Sequence, residues 1–161
     1  MTLSVVIITY NEEANLERTL VSVKPIADEI IVVDSGSTDR TCEIASSFGA
    51  KVFVEEWKGY AAQKNSAIEK ATCDWVLSLD ADERVSEDLR QEIEGVLADP
   101  DALDGYLVPR RSYFLGRWIR HCGWYPSWNL RLFRHRLGRY EAVPVDAPQT
   151  GDNEVHEHVV L

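Results

Sequence analysis

The sequence predicts an α/β fold: a mostly parallel sheet with helices on both faces, followed by a basic, aromatic-rich segment. Three observations carry this reading. Short apolar, β-branched runs alternate with helix-period stretches in units of about 25 residues. The runs are continuously apolar, as buried parallel strands are, rather than alternating. From Arg110 to Arg139 there are eight arginines, no lysine and no acidic residue, together with seven aromatics, which marks a compositional change near residue 105.

Leu3 to Thr9 reads as the first strand. Asn11 is placed to cap a helix whose first turn holds Glu12 and Glu13, whose apolar stripe is Leu16, Leu20 and Val23, and which Pro25 ends. Glu29 to Asp34 is a second strand. Gly36 makes a turn, Ser37 or Thr38 caps, and Thr41 to Phe48 is a helix closed by Gly49. Lys51 to Glu55 is the third strand, and Gly59 opens a helix over Ala61 to Ala71. Asp74 to Leu79 is the fourth strand. Ser86 caps a helix through Leu97 that stops before Pro100.

The chain has 161 residues and a formal net charge of -10, from 17 basic and 27 acidic side chains. That length suits one domain with its own core. The acidic balance argues against a general nucleic-acid binder, since phosphate backbones need a basic surface. Cys42, Cys73 and Cys122 are an odd, scattered set, which points to a reducing compartment rather than a disulfide scaffold. The N-terminus lacks the features of a signal peptide, and no run reaches the ~18 apolar residues of a membrane helix. The expected localisation is cytoplasmic.

In parallel α/β sheets, ligands bind at the carboxyl ends of the strands. The residues there are Tyr10-Asn11-Glu12, Asp34-Ser35-Gly36-Ser37, Glu55-Glu56-Trp57 and Asp80-Ala81-Asp82. Asp80 and Asp82 are spaced to put two carboxylates on one side, which suits Mg²⁺ or Mn²⁺ with phosphates and waters completing the shell. The plainer alternative is that Asp82 starts a turn before Ser86. Asp34 suits a base N–H or ribose hydroxyl, or the cap of the next helix. The Gly36-Ser37-Thr38 backbone can line a ligand closely. The sequence has no G-x-G-x-x-G after the first strand and no P-loop.

The blocks SVVIITYNEEANLERTL, DEIIVVDSGSTDRT and KGYAAQKNSAIEKATCDWVLSLDADE, over roughly residues 3 to 98, resemble family 2 glycosyltransferases, which have the Rossmann-like GT-A fold. The S-x-S-T-D form, the Q-K-N segment and NLRLFR look most like the bacterial lipopolysaccharide-core glucosyltransferase branch. The resemblance implies that Thr9, Tyr10 and Glu12 surround the base and ribose, with Asp34 on the base, usually uracil; Gly36 and Ser37 are counted with the donor-binding residues. It places Lys64 and Asn65 near the diphosphate or base. Asp80 and Asp82 would hold the ribose and the metal-bound diphosphate, with Ala81 between them counted as donor-binding. Ser35 departs from the pattern, since many members have a second Asp there.

It further implies an inverting, metal-dependent transfer of a hexose from a UDP-linked donor to a glycan or glycolipid hydroxyl such as lipopolysaccharide core. Candidate bases are Glu141, Asp146, Asp152, Glu154 and Glu157. Glu157 is favoured because His156-Glu157 resembles the branch's His-Glu pair. His156 and His158 lie on one face of an extended segment and read as metal ligands or as solvent-facing residues.

For the basic segment, one reading pairs its arginines with the acidic body. The other gives it an anionic partner or peripheral contact with the cytoplasmic face of the inner membrane. Arg131 and Arg134 are the arginines expected near phosphate, or in ion pairs with Asp80, Asp82 or Glu83. Trp118, Trp124 and Trp128 read equally as acceptor contacts or packing, Trp57 as a border of the site, and Trp75 as core.

The expected organisation is a nucleotide-sugar-binding half over 1–98 and an acceptor-side segment of the same domain over 99–161, a truncated form of a branch whose members usually run on. Two other readings stand beside it: a polyprenyl-phosphate glycosyltransferase, and a sugar-nucleotide-binding fragment without turnover. A haloacid-dehalogenase-like phosphatase is disfavoured, since Arg84 stands where its motif needs Thr or Val.

Overall fold

The computed structural model describes residues 1–114, 117–118, 127–142 and 157–160. Four parallel strands alternate with helices: β1 (Leu3–Thr9), α1 (Leu16–Val23), β2 (Glu29–Asp34), α2 (Thr41–Ser47), β3 (Lys51–Val54), α3 (Tyr60–Glu69), β4 (Trp75–Asp80) and α4 (Glu87–Ala98). They are followed by β5 (Gly105–Arg110), β6 (Tyr113–Phe114), β7 (Arg117–Trp118), β8 (Ser127–Arg134), β9 (Arg139–Ala142) and β10 (Glu157–Val160). The main sheet runs β3-β2-β1-β4-β8-β5, with β8 antiparallel to both neighbours. β6 pairs with β7, and β9 with β10. Two strands from beyond residue 98 thus complete the sheet begun by the first half.

Strand alternation divides the core into two layers. Leu3, Val5 and Ile7 of β1, Ile30 and Val32 of β2, and Trp75, Leu77 and Leu79 of β4 pack against α1, α2 and α4. Val6, Ile31, Val33 and Val76 face the other way, toward Ala67 and Ile68 of α3 and Tyr140 of β9. In α1 the spacing of Leu16, Leu20 and Val23 buries one stripe completely. Trp75 is fully buried, as expected, with the Arg134 guanidinium 4.9 Å from its ring centroid.

Two expected helix starts are corrected. Asn11 does not cap α1, which begins at Leu16. Its backbone sits at φ 53°, its N–H donates to Ser37 Oγ at 2.8 Å, and its Oδ1 accepts from Thr38 N–H at 2.9 Å. Ser37 and Thr38 do not cap α2. Asp39 accepts from Thr41 N–H at 3.0 Å instead. Both loops are fastened to each other before either helix begins. Ser86 does cap α4, accepting from Leu89 N–H, and Gly49 follows α2 at φ 78°. No helix among the described residues is long and apolar enough to cross a membrane.

Candidate functional site

At the carboxyl edge, the loops after β1 and β2 are joined through Asp34. This fully buried carboxylate accepts four hydrogen bonds. Thr9 Oγ1 and Ser37 Oγ donate to one oxygen at 2.8 and 2.5 Å, and the Gly36 and Ser37 N–H groups donate to the other at 2.9 and 2.7 Å. Burial opposes its ionisation, but the bonds from Ser37 and Thr9 outweigh burial and hold the carboxyl below its usual range. Gly36 can take the required φ of 86° without strain. Thr41 Oγ1 accepts from Glu12 N–H at 2.8 Å, and Asp39 accepts from Glu13 N–H at 3.1 Å. The staple leaves Tyr10 and Gly36 exposed and Glu12 half-buried, while Thr9 is buried.

The second part of the edge is a cluster of charges around Asp80. One of its oxygens lies 2.9 Å from Lys64 Nζ on α3, and the other lies 2.9 Å from Arg131 Nη2 on β8. Arg131 also reaches Glu83 at 2.8 Å. Burial opposes the Asp80 charge, but Arg131 and Lys64 overcome it and hold the carboxyl down at about 2. Burial pushes Glu83 the other way, upward, against the pull of Arg131 and with help from the Asp80 charge. Glu83 further accepts from Asp80 N–H at 3.0 Å, and Thr19 Oγ1 donates to the buried Ala81's carbonyl at 2.7 Å. The Asp80–Glu83 turn is thereby fixed to β8 and α1, with Asp82 exposed on it.

The two carboxylates of the D-x-D motif therefore differ. Asp80 is engaged by two cations. Asp82 fits a divalent ion as one carboxylate, with the diphosphate of a substrate and waters supplying the other oxygens. No group of three His, Cys, Asp or Glu side chains suited to a metal exists among the described residues.

The other expected site residues separate by position. Lys64 is buried beside Asp80, with its ammonium 5.1 Å from the Tyr140 ring centroid. Asn65 grips the Tyr140 backbone, donating to its carbonyl at 2.9 Å and accepting from its N–H at 2.8 Å, so it fastens β9 to α3. Arg131 forms the ion pair weighed against a free phosphate-binding role. Arg134 is corrected: it lies opposite Trp75, at the start of β4, and pairs with Asp104 at 3.2 Å. That is the far end of the sheet, because β8 runs antiparallel to β4.

Trp128 is exposed at the beginning of β8, across from Pro109, toward the carboxyl edge. Trp57 stacks edge-on with Tyr60 at 4.8 Å, both exposed at the start of α3. Glu157 starts β10, paired with Ala142. Trp124, Asp146, Asp152, Glu154 and His156 lie outside the described residues. Glu83 meets Arg131 as the ion-pair reading allowed, and Ser35 lies at the edge where the sequence placed it, whereas Tyr140 was not foreseen here and Gln63 was read only as part of the Q-K-N segment.

Comparison with known proteins agrees with this arrangement. Residues 4–151 match the model of the family Glycosyl transferase family 2. The lipopolysaccharide core biosynthesis glycosyltransferase LpsC of Rhizobium meliloti is 37% identical over 98% of this chain. The chain spans 57% of that relative's length, and less of other curated relatives that it matches. Glucosyl-3-phosphoglycerate synthase from Mycobacterium tuberculosis, solved with Mn²⁺, UDP and glucosyl-3-phosphoglycerate, superposes with a TM-score of 0.52 at 26% identity, covering 65% of this chain and 42% of that one. The mannosyltransferase PcManGT from Pyrobaculum calidifontis, solved with GDP-Man and Mn²⁺, gives 0.55 at 28% identity over 67% and 35%. With the family model matching most of the chain, and with a mostly parallel sheet that carries a D-x-D turn at its edge, the chain belongs to glycosyl transferase family 2.

Proposed function

We propose that this chain binds a nucleotide-diphosphate sugar, UDP-linked, and passes its hexose with inversion to a hydroxyl of a glycan or glycolipid acceptor of the lipopolysaccharide-core type. The observation that carries this is the D-x-D turn. Asp82 is presented to solvent by a turn anchored through Asp80, Glu83 and Arg131, at the edge where such sheets take ligands. The resemblance to LpsC supports the acceptor class, and the UDP-bound and Mn²⁺-bound relative supports the donor and metal.

In this reading Asp82 holds Mg²⁺ or Mn²⁺, whose chemistry when bound is to neutralise charge on the departing diphosphate. Thr9, Tyr10, Glu12, Gly36 and Ser37 border the nucleoside. Lys64 and Asp80 shape the floor beneath the diphosphate. Glu157 takes the proton of the acceptor hydroxyl as that oxygen bonds to the anomeric carbon and the carbon–phosphate oxygen bond breaks. One displacement suffices, with no covalent sugar–protein intermediate. Trp124 and Trp128 are proposed acceptor contacts. The arginine-rich segment is suited to anionic headgroups at the cytoplasmic face of the inner membrane.

The test is transfer of labelled glucose from UDP-glucose to lipopolysaccharide core, with polyprenyl phosphate as the rival acceptor. Transfer to the core alone supports the reading, and transfer to polyprenyl phosphate alone overturns the acceptor class. Donor binding without transfer to either overturns turnover by this chain.

A further inference from the structure

Three buried side-chain atoms among the described residues have no hydrogen-bond partner: Ser35 Oγ, and both Nε2 and Oε1 of Gln63. Buried polar groups are nearly always paired, because leaving one unpaired is costly. These two residues are distant in sequence but fall on the same side of the sheet. β2 turns Ile31 and Val33 toward α3, and Ser35, two residues further, continues on that side. Gln63 sits one turn before Ala67, which packs with Val6, Ile31 and Val33. Its helix neighbours bracket it: Lys64 reaches Asp80 on β4, while Ser66 and Lys70 reach Glu55 just after β3. Gln63 therefore lies toward the carboxyl ends of β1 and β2, on the side of the sheet that Ser35 continues.

The chemistry here differs from that on either side. Charged clusters flank it at Asp80–Lys64–Arg131 and at Glu55–Lys58–Lys70, whereas Gln63 and Ser35 are neutral. A neutral amide offers one donor and one acceptor side by side. That matches the imide edge of a pyrimidine base, where an N–H lies next to a carbonyl, and does not match a diphosphate. Asp34, which the resemblance assigns to the base, already has both oxygens filled from within its own loops.

We propose that Gln63 and Ser35 are specificity-determining residues that read the hydrogen-bonding edge of the donor's nucleobase. The proposal deepens the glycosyltransferase reading and rests on it. The Gln63 amide is enclosed in this structure, so the proposal requires that the segment ahead of α3, which turns at Gly59 with φ 93°, move aside for the base.

The experiment is calorimetric titration of UDP, and of inorganic pyrophosphate as a probe without a base, each with Mn²⁺, on the wild type and on Gln63→Met. Met keeps the volume and removes the amide. The expected result is a UDP affinity lowered about tenfold or more, an unchanged pyrophosphate affinity, and a free protein whose melting temperature is unchanged or raised. Ser35→Ala, a milder change that keeps the fold, is expected to show the same pattern with a smaller loss.

Unchanged UDP affinity in both variants overturns the proposal and assigns the two groups to an internal water. Equal losses for UDP and pyrophosphate overturn it in favour of a diphosphate contact. A wild type that binds neither UDP nor, in one added titration, GDP overturns the parent reading as well, and no variant is needed to see it.

Discussion

Arg131 and Asp80 stand 51 residues apart in sequence and 2.9 Å apart in space. The contact ties β8, from the arginine-rich segment, to the turn that presents Asp82. Because Arg131 also holds Glu83, it is the shared partner of two partly buried carboxylates.

Arg131→Leu leaves Glu83 without its ion-pair partner and Asp80 with Lys64 alone. Breaking a buried pair from one side costs about 3 kcal/mol, so urea unfolding should show a loss of that order. Arg131→Lys should recover part of it, since one ammonium cannot span both carboxylates as a guanidinium does. A Leu variant as stable as the wild type would contradict the clamp.

Asp34→Asn replaces an acceptor of four hydrogen bonds with an amide whose NH₂ faces donors. The expected cost is about 1–3 kcal/mol. Donor affinity should fall with it, because the same bonds hold the Gly36-Ser37 backbone. Circular dichroism melts beside UDP titration check both effects.

Asp82→Ala should do the opposite. The side chain is exposed, so stability should move by no more than about 0.5 kcal/mol, while the Mn²⁺-dependent part of donor binding disappears. Titration with and without EDTA measures it. Metal-dependent binding that survives in the variant would remove Asp82 from the metal site.

Acid should destabilise the fold in a defined window. Glu29 accepts from Ser4 Oγ, the Thr72 N–H and hydroxyl, and Lys51. Burial raises its pKa, but bonds from Lys51, Ser4 and Thr72 dominate and lower it from 4.5 to about 2. A carboxyl depressed in the folded state stabilises fully above its unfolded value and loses that contribution as pH falls through its folded one. Stability should therefore drop between pH 4.5 and 2, with Glu29→Gln showing a flatter profile and a loss on the order of 2 kcal/mol at neutral pH.

Glu157→Gln should spare donor binding and lower transfer about 10²- to 10⁴-fold, the usual contribution of a general base. Transfer at the wild-type rate would move the base elsewhere.

Much of the first half was legible because its signals are local. Leu3–Thr9 and Glu29–Asp34 are continuous apolar runs, and Leu16, Leu20 and Val23 repeat with helical period. What was not legible depends on partners far away in sequence. Asn11 reads as a cap, but Ser37 and Thr38, brought near by the parallel pairing of β1 and β2, claim its polar groups first. Arg134 looked equivalent to Arg131 within NLRLFR. Antiparallel register sends one to Asp104 and the other to Asp80, at opposite ends of β4. The position of β8 beside β4 is a long-range pairing that no local pattern announces.

The most direct test of the central claim is thermal unfolding with UDP-glucose and Mn²⁺, repeated with excess EDTA. At a ligand concentration ~100 times the dissociation constant, binding adds about 2.7 kcal/mol, which for a domain of this size raises the melting temperature by several degrees. A rise abolished by EDTA is the predicted result. No rise with either a UDP-linked or a GDP-linked sugar, with or without Mn²⁺, would contradict a nucleotide-sugar site on this chain.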